Sequence, residues 1–184
     1  MEKVIRLSTP LSEQDVVSLR AGDRVLLSGG LITARDAAHK RLAERIEKGE
    51  PLPTDLRGQV IYYVGPTPPK PGQVIGSAGP TTSYRLDPYT PALFAQGLRG
   101  TIGKGRRSPE VIEALKQYKA VYFGATGGAA ALLSTCITAV EVIAYEDLGT
   151  EAMRWLTVKD FPLIVINDCL GNDLYEQGMA KYRR

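Results

Sequence analysis

Short runs of β-forming residues, each followed by glycine or proline, alternate in this chain with segments of helical periodicity. Residues 24–28 form one such run, which Gly29-Gly30 is expected to end, and residues 59–64 form another. Between them, Thr33 is a candidate cap for a helix that Gly49 ends. Strands that alternate with helices predict one α/β domain, a mixed sheet with flanking helices. The order departs from a regular β-α-β repeat, which argues against a plain doubly wound sheet.

The same signals predict the remaining elements. Further strands are expected at residues 4–7, 73–77, 101–103, 120–123, 139–145 and 163–166, and further helices after Ser12, at 91–96, after Ser108 and at 129–133. Trp155 is expected in a short helical segment or directly after it, and the tail is polar and basic.

Composition and charge exclude several classes of protein. The 184 residues suit a single domain, and 43% apolar with 23% charged residues excludes a disordered chain. A net charge of +3 is too small to indicate nucleic-acid binding. No apolar run approaches the roughly 18 residues of a membrane-spanning helix, and the first residues lack an apolar signal core. We therefore expect a cytoplasmic protein.

Cysteine and histidine are scarce. Cys136 and Cys169 are the two cysteines, and His39 is the one histidine. Two thiols do not make a disulfide scaffold, and they fall short of the three or four thiolates of a metal cage. The sequence therefore predicts no metal site within this chain.

Two glycine-rich stretches fail as nucleotide-binding motifs. Residues 97–105 contain Gly-Lys, but Leu98 stands where a P-loop needs glycine, and Gly105 where it needs Ser or Thr. Residues 124–129 follow a predicted strand, but Thr126 stands where the dinucleotide fingerprint needs its second glycine. A nucleotide cofactor is therefore not expected.

Cationic and hydroxyl side chains are concentrated in predicted loops. They are Arg35, Thr81, Thr82, Arg85 and Lys104. Each of them alone is better explained by an ordinary structural or surface role. Together they suggest an anion site, because arginine grips a carboxylate through two parallel hydrogen bonds and glycine-rich backbone adds N–H donors. A small dicarboxylate would suit such a pocket. The chain lacks an obvious acid–base pair, so it is either a binding module or a subunit whose partner supplies chemistry.

These residues lie in stretches that resemble one family. The stretches are GDRVLLSGGLITARDAAHKRL (22–42), IYYVGP (61–66), GSAGPTTSYRLDPYTP (76–91), IGKG (102–105), YFGATGGAAALL (122–133), VEVIAYEDLGTEAMRW (140–155) and DFPLIVINDCLGNDLY (160–175). In this order they resemble the β subunit, or C-terminal domain, of class I fumarate hydratases and L-tartrate dehydratases, the iron–sulfur hydro-lyases.

The resemblance implies a single swivelling β/β/α domain over residues 1–184. It also implies a separate α subunit that carries a [4Fe–4S] cluster, whose open iron position acts as a Lewis acid. The active site would lie between the two subunits, and the scarcity of cysteine here agrees with a cluster held by the partner. A hetero-oligomer is implied, with self-association when the chain is alone, and no nucleic-acid or membrane partner.

The resemblance also assigns roles to four residues. Arg35 and Arg85 match the arginines that contact substrate carboxylates, and Lys104 of the GKG motif matches a substrate-binding lysine. Thr81 matches the proposed catalytic base. A threonine hydroxyl is a very weak acid, so this role needs a stabilised alkoxide or a proton relay, which the cations nearby would favour.

Two further residues are supporting candidates. Thr82 follows Thr81, and His39 stands in the RDxxH position of the family. His39 either takes part in function or orders the Arg35 loop, and neither role is favoured.

The implied reaction is the reversible hydration of fumarate to L-malate. Two alternatives stay open: dehydration of L-tartrate to oxaloacetate, and a stand-alone dicarboxylate-binding module. Tyr84 and Leu86 differ from the residues usual in fumarases, which bears on fine substrate preference, whereas the RLDPY run (85–89) is closer to the fumarase branch.

Overall fold

The computed structural model describes residues 4–125 and 129–183. Thr126 of the failed dinucleotide fingerprint and the glycines after it lie outside these residues, as does the start of the chain. The strands are β1 (Val4–Ser8), β2 (Arg24–Thr33), β3 (Val60–Tyr62), β4 (Gly100–Gly103), β5 (Val121–Gly124), β6 (Ile137–Ala144) and β7 (Met153–Asn167). The helices are α1 (Glu13–Ser18), α2 (Asp36–Glu47), α3 (Thr90–Ala95), α4 (Pro109–Tyr118), α5 (Ala130–Thr135) and α6 (Leu174–Tyr182), with short 3₁₀ helices at Ser83–Leu86 and Glu146–Glu151.

The seven strands form one mixed sheet in the order β1-β2-β3-β4-β5-β7-β6. Strands β1 to β5 run parallel to one another, and β7 is antiparallel to β5 and β6. Strand β7 also pairs with β2, which closes β2, β3, β4, β5 and β7 into a ring. The predicted mixed sheet with flanking helices is therefore confirmed.

Two apolar cores lie on the two faces of this ring. The first takes side chains from every ring strand, among them Leu27, Tyr62, Ile102, Phe123 and Phe161. The second packs the other face against α2, α3 and α4. Because side chains alternate along a strand, Tyr62 belongs to the first core and its neighbours in sequence belong to the second.

The predicted end of β2 at Gly29-Gly30 is wrong. The strand continues through both glycines to Thr33, and the ring of Trp155 packs against Gly30, where there is no side chain. A Cβ atom at Gly30 would lie 1.9 Å from Cζ2 of that ring. Thr33 is consequently the last strand residue and not a helix cap, and its buried hydroxyl accepts a hydrogen bond from the Arg154 backbone N–H at 3.0 Å.

The C-terminal third also differs from the sequence prediction. Trp155 lies in β7, which runs for 15 residues where the sequence predicted only 163–166. The length is not evident from the sequence, because Pro162 cannot donate a hydrogen bond to a neighbouring strand. Pro162 nevertheless pairs with Leu26, and it lies two residues after Asp160, which has a positive φ. The tail contains α6, which the sequence analysis left unassigned.

The strand predicted at 73–77 is absent from the described structure. Thr67 and Ser77 join this segment to the proline-rich loop through two hydrogen bonds, from the Thr67 N–H to the Ser77 carbonyl at 3.1 Å and from the Ser77 N–H to Thr67 Oγ1 at 2.8 Å. The backbone N–H and carbonyl of Ser77 are therefore hydrogen-bonded to Thr67 of the loop and not to a neighbouring strand.

We expect Gly30→Ala to lower the free energy of unfolding by about 1–3 kcal/mol, because the new methyl group overlaps the Trp155 ring. Urea denaturation followed by Trp155 fluorescence measures this. Gly178→Ala in α6 is the matched control, since no atom lies within 4 Å of its Cβ position and alanine favours a helix. Equal stability of Gly30→Ala and wild type would contradict the close packing.

Candidate active site

The predicted site residues follow the carboxyl ends of parallel strands. Strands β2, β3 and β4 are neighbours and run in the same direction, so they end at the same edge of the sheet. Arg35 comes two residues after β2, and Lys104 comes directly after β4. In α/β sheets such an edge is where ligands usually bind.

Thr81 is inserted between the ends of β3 and β4. Its backbone N–H donates to the Tyr63 carbonyl at 2.7 Å, and its carbonyl accepts from the Lys104 N–H at 3.3 Å. The next residue, Thr82, forms a parallel bridge with Lys104, and the Ser83 N–H donates to the Lys104 carbonyl at 2.9 Å. Backbone hydrogen bonds thus join Thr81 and Thr82 to Lys104, which is distant from them in sequence.

The glycines around Lys104 make this junction fit. A Cβ atom at Gly103 would lie 2.0 Å from Ser83 Oγ, so a side chain there would push the two segments apart. Gly105 has a φ of +83°, which most side chains disfavour. The GKG motif therefore presents Lys104, which is exposed, from a backbone that glycine alone allows to approach so closely.

The two arginines predicted to bind carboxylates lie on either side of one carboxylate. Asp36 Oδ1 is 3.4 Å from Arg85 Nε, and Asp36 Oδ2 is 3.9 Å from Arg35 Nε. Arg35 Nη2 also lies 3.6 Å from Glu151 Oε1. The other oxygen of Glu151, Oε2, accepts from the Ala37 backbone N–H at 2.9 Å and so satisfies a donor at the start of α2.

The cations at this edge have donors to spare. Within residues 4–125 and 129–183, the side chains of Arg35, Arg85 and Lys104 make no hydrogen bond, and Arg35 Nε is buried without a partner. By contrast, the guanidinium of Arg41 is held by two hydrogen bonds to Asp147. Unsatisfied donors at a strand edge are what a carboxylate ligand requires.

His39 is fully buried, and its ring contacts the Arg35 backbone and Tyr63. Its Nδ1–H donates to the Arg35 carbonyl at 2.8 Å, and its ring packs edge-on against Tyr63 with centroids 5.2 Å apart. Burial lowers the pKa of His39 to about 4, so the ring is neutral near pH 7. Of the two roles left open by the sequence, this geometry favours ordering the Arg35 turn.

A buried polar network supports the junction from below. Arg107 Nε donates to Asp87 Oδ1 at 2.7 Å, and Arg107 lies against the Tyr122 ring, 4.8 Å from its centroid. Burial raises the pKa of Tyr122, so the phenol stays protonated and donates to the Gly105 carbonyl at 2.9 Å. Ser83 Oγ in turn donates to Tyr122 Oη at 2.9 Å. The network therefore holds both sides of the Lys104 turn.

Four of these contributors were missed by the sequence analysis: Asp36, Glu151, Arg107 and Tyr122. Asp36 had a visible signal, a carboxylate next to a predicted ligand-binding arginine. Glu151 and Tyr122 come from distant parts of the chain, and Arg107 follows Lys104 by three residues, but all three support the site through tertiary contacts. Nothing in their local sequence distinguishes them from ordinary surface or core residues.

The described residues do not offer ligands for an iron–sulfur cluster. No group of three or more His, Cys, Asp or Glu side chains in residues 4–125 and 129–183 could hold a metal ion. Cys169 is buried and Cys136 is partly buried, and both are free thiols.

In the same residues no helix is both long enough and apolar enough to span a membrane.

We expect the pH dependence of stability to report on His39. Its pKa is about 4 in the folded chain, below the ordinary histidine value of 6.5, so the unfolded chain binds the extra proton. The neutral His39 ring therefore contributes its full stability above about pH 6.5, and this contribution is lost as the pH falls towards 4.

Between pH 6.5 and 4.5, wild type should lose about 2 kcal/mol more unfolding free energy than His39→Asn, which cannot titrate. Urea denaturation at several pH values measures both slopes. Parallel curves for the two proteins would show that His39 keeps an ordinary pKa in the fold.

Comparison with known proteins identifies the family of this chain. Residues 1–178 match the family model described as "Fumarase C-terminus". The chain is 38% identical to fumarate hydratase 2 of Leishmania major over 96% of its length, and 41% identical to the aerobic class I fumarate hydratase of Escherichia coli K12 over 84%. These alignments cover 32% and 28% of the two relatives, so the chain spans about a third of their length.

A third relative has nearly the same extent as this chain. It is the protein of Methanocaldococcus jannaschii named as a putative L(+)-tartrate dehydratase subunit beta. The identity is 38% over 173 residues, which cover 91% of this chain and 89% of that protein. The family-model match over nearly all of its residues shows that this chain belongs to the fumarase C-terminus family.

Proposed function

We propose that this chain is the β subunit of an iron–sulfur hydro-lyase that reversibly hydrates fumarate to L-malate. Two observations carry the proposal. Arg35 and Arg85 share the Asp36 carboxylate without a side-chain hydrogen bond to any described residue, and backbone hydrogen bonds join Lys104 to Thr81. Hydration of a dicarboxylate needs cationic donors for the two carboxylates and a proton-transfer group near one of the two carbons between them. We assign the first role to the two arginines and Lys104 and the second to Thr81.

In this proposal the arginines and Lys104 bind the substrate carboxylates and orient the molecule. Each guanidinium can offer two parallel N–H groups to one carboxylate, which sets direction as well as affinity. Lys104 acts as a point charge from its exposed turn. These contacts hold the reacting carbon against Thr81.

Thr81 is the proposed proton-transfer group. Dehydration of L-malate removes a proton from one carbon and the hydroxyl group from its neighbour. The Thr81 hydroxyl would receive that proton, either as an alkoxide stabilised by nearby cations or as a relay. Its backbone is fixed by the hydrogen bonds to β3 and β4, so the hydroxyl has a defined position.

The proposal assigns the [4Fe–4S] cluster to a partner α subunit. The described residues of this chain lack a ligand set, and the relative named as a subunit beta has almost the same length as this chain. When bound, such a cluster supplies a Lewis acid for the departing hydroxyl group. The functional enzyme would be a hetero-oligomer with its site between the subunits.

L-tartrate is the second candidate substrate. The relative that matches this chain over most of both lengths is named for tartrate, whereas the longer relatives are named for fumarate. Their identities, 38% to 41%, are too close to separate the two. Assay of the assembled enzyme with both substrates decides between them.

The first test is co-expression with the α-subunit reading frame expected next to this one, followed by anaerobic reconstitution of the cluster. We expect Arg85→Ala to lower kcat/KM for L-malate by about 100-fold, since one desolvated charge pair contributes about 3 kcal/mol. Absorbance of fumarate follows the reaction. Arg57→Ala is the matched control, because Arg57 is exposed and its side chain is paired with Asp55. Equal losses in both variants would reject the role of Arg85.

Thr81 is tested by removing only its hydroxyl group. Thr81→Val keeps the shape of the side chain, and we expect kcat to fall by about 100-fold or more with little change in KM. Thr81→Ser restores a hydroxyl and should recover most of the rate. Wild-type kcat in Thr81→Val would assign the proton transfer to another group.

The isolated chain should have no hydratase activity, because the described residues hold neither a cluster site nor an obvious acid–base pair. The measurement is the same absorbance assay on the purified chain, with and without added iron and sulfide. Steady turnover by the chain alone would overturn the shared-site proposal.

A further inference from the structure

We infer that Asp36 is a positioning residue that orients both carboxylate-binding arginines. Its carboxylate lies between the guanidinium groups of Arg35 and Arg85, with one oxygen nearest to each. The kinetic consequence of this inference rests on the proposed function, whereas the arrangement itself can be tested on the purified chain.

The contact with Asp36 leaves the far end of the Arg85 guanidinium open, whereas Arg35 Nη2 lies 3.6 Å from Glu151 Oε1. In both ion pairs the nearest arginine atom is Nε, at 3.4 Å for Arg85 and 3.9 Å for Arg35. The Nη atoms therefore lie farther from Asp36. No described residue forms a hydrogen bond with the Nη atoms of Arg85, so this end is available to grip a ligand carboxylate.

The backbone of Asp36 is part of a helix start that a second carboxylate, Glu151, holds in place. Asp36 is the first residue of α2, and the Ala37 N–H beside it is held by Glu151. Its side chain is short, whereas an arginine side chain has many rotamers to lose on binding. A fixed carboxylate that attracts both guanidinium groups reduces this loss before the substrate arrives.

Asp36 also offsets the repulsion between two neighbouring cations. Arg35 and Arg85 approach the same carboxylate from different elements, the start of α2 and the 3₁₀ helix Ser83–Leu86. Without a negative charge between them, their mutual repulsion would favour separate orientations. A site that must grip one small anion with both groups would then have to order them during binding.

The first experiment measures the order of Arg85 in the purified chain. Exchange of the Arg85 Nε–H proton with water is followed by NMR, with the signal assigned from its absence in Arg85→Lys. We expect Asp36→Asn to speed this exchange by about threefold, the scale of an ion pair with this exposure. Asp147→Asn is the matched control, because it removes a carboxylate paired with Arg41 of the same helix. Equal exchange rates in wild type and Asp36→Asn would overturn the inference.

The second experiment uses the assembled enzyme with its partner subunit. We expect Asp36→Asn to raise KM for the dicarboxylate by about threefold to tenfold while kcat changes by less than about twofold, since ordering of the binding groups is lost. Asp147→Asn should keep both wild-type values. A fall in KM would instead show that Asp36 competes with the substrate for the arginines, and it would overturn the inference.

A further variant covers a folding defect in Asp36→Asn. Asp36→Glu keeps the negative charge that favours a helix start but moves the carboxylate by one methylene group. Exchange of the Arg85 Nε–H and KM should both lie between those of wild type and Asp36→Asn, or above those of wild type if Asp36→Asn does not fold. Wild-type values in both would overturn the inference. Protected Arg85 in a wild-type enzyme that is inactive on both dicarboxylates would reject the proposed function while the orienting role of Asp36 stands.

Discussion

The antiparallel pairing of β2 with β7 is the interaction on which the rest of this structure depends. It joins Arg24 through Thr33 to the strand Met153–Asn167 and closes five strands into a ring. Closure satisfies the backbone of both strands and creates a continuous apolar interior. It also holds the segment before β7 close to the start of α2, which is why Glu151 reaches Ala37 and Arg35. The architecture and one wall of the site thus have the same origin.

The site itself depends on a local interruption of that sheet. Strands β3 and β4 pair as far as Tyr62 and Ile102, and beyond this point Thr81 enters between them. The insertion uses the free backbone groups at the strand ends, so it costs little in unsatisfied hydrogen bonds. It joins the backbone of Thr81 to that of Lys104, and Tyr122 and the Asp87–Arg107 pair hold the backbone below.

The arginines at this end of the sheet differ in whether their N–H donors have hydrogen-bond partners in the fold. Arg107 is fully buried; burial alone would lower its pKa, but Tyr63, Asp87 and Tyr122 raise it on balance, so its charge serves the fold. Arg35 and Arg85 contact described carboxylates at 3.4 Å or more, and their side chains form no hydrogen bond with a described residue. This division separates the structural arginine from the arginines that the proposed function uses.

The sequence by itself determined the α/β class, most strands and helices, and the identities of Arg35, Thr81, Arg85 and Lys104 as candidates, because these depend on local periodicity, capping residues and short motifs. The helix starts expected after Ser12 and after Ser108 are examples that the structure confirms. The passage of β2 through Gly30 and the full length of β7 across Pro162 were decided only by the tertiary structure. Glycine and proline normally end strands. Here the pairing of β2 with β7 and the packing of the Trp155 side chain against Gly30 outweigh that preference. The tertiary structure likewise decided that Asp36, Glu151 and Tyr122 support the site, since their roles arise from contacts between segments far apart in the chain.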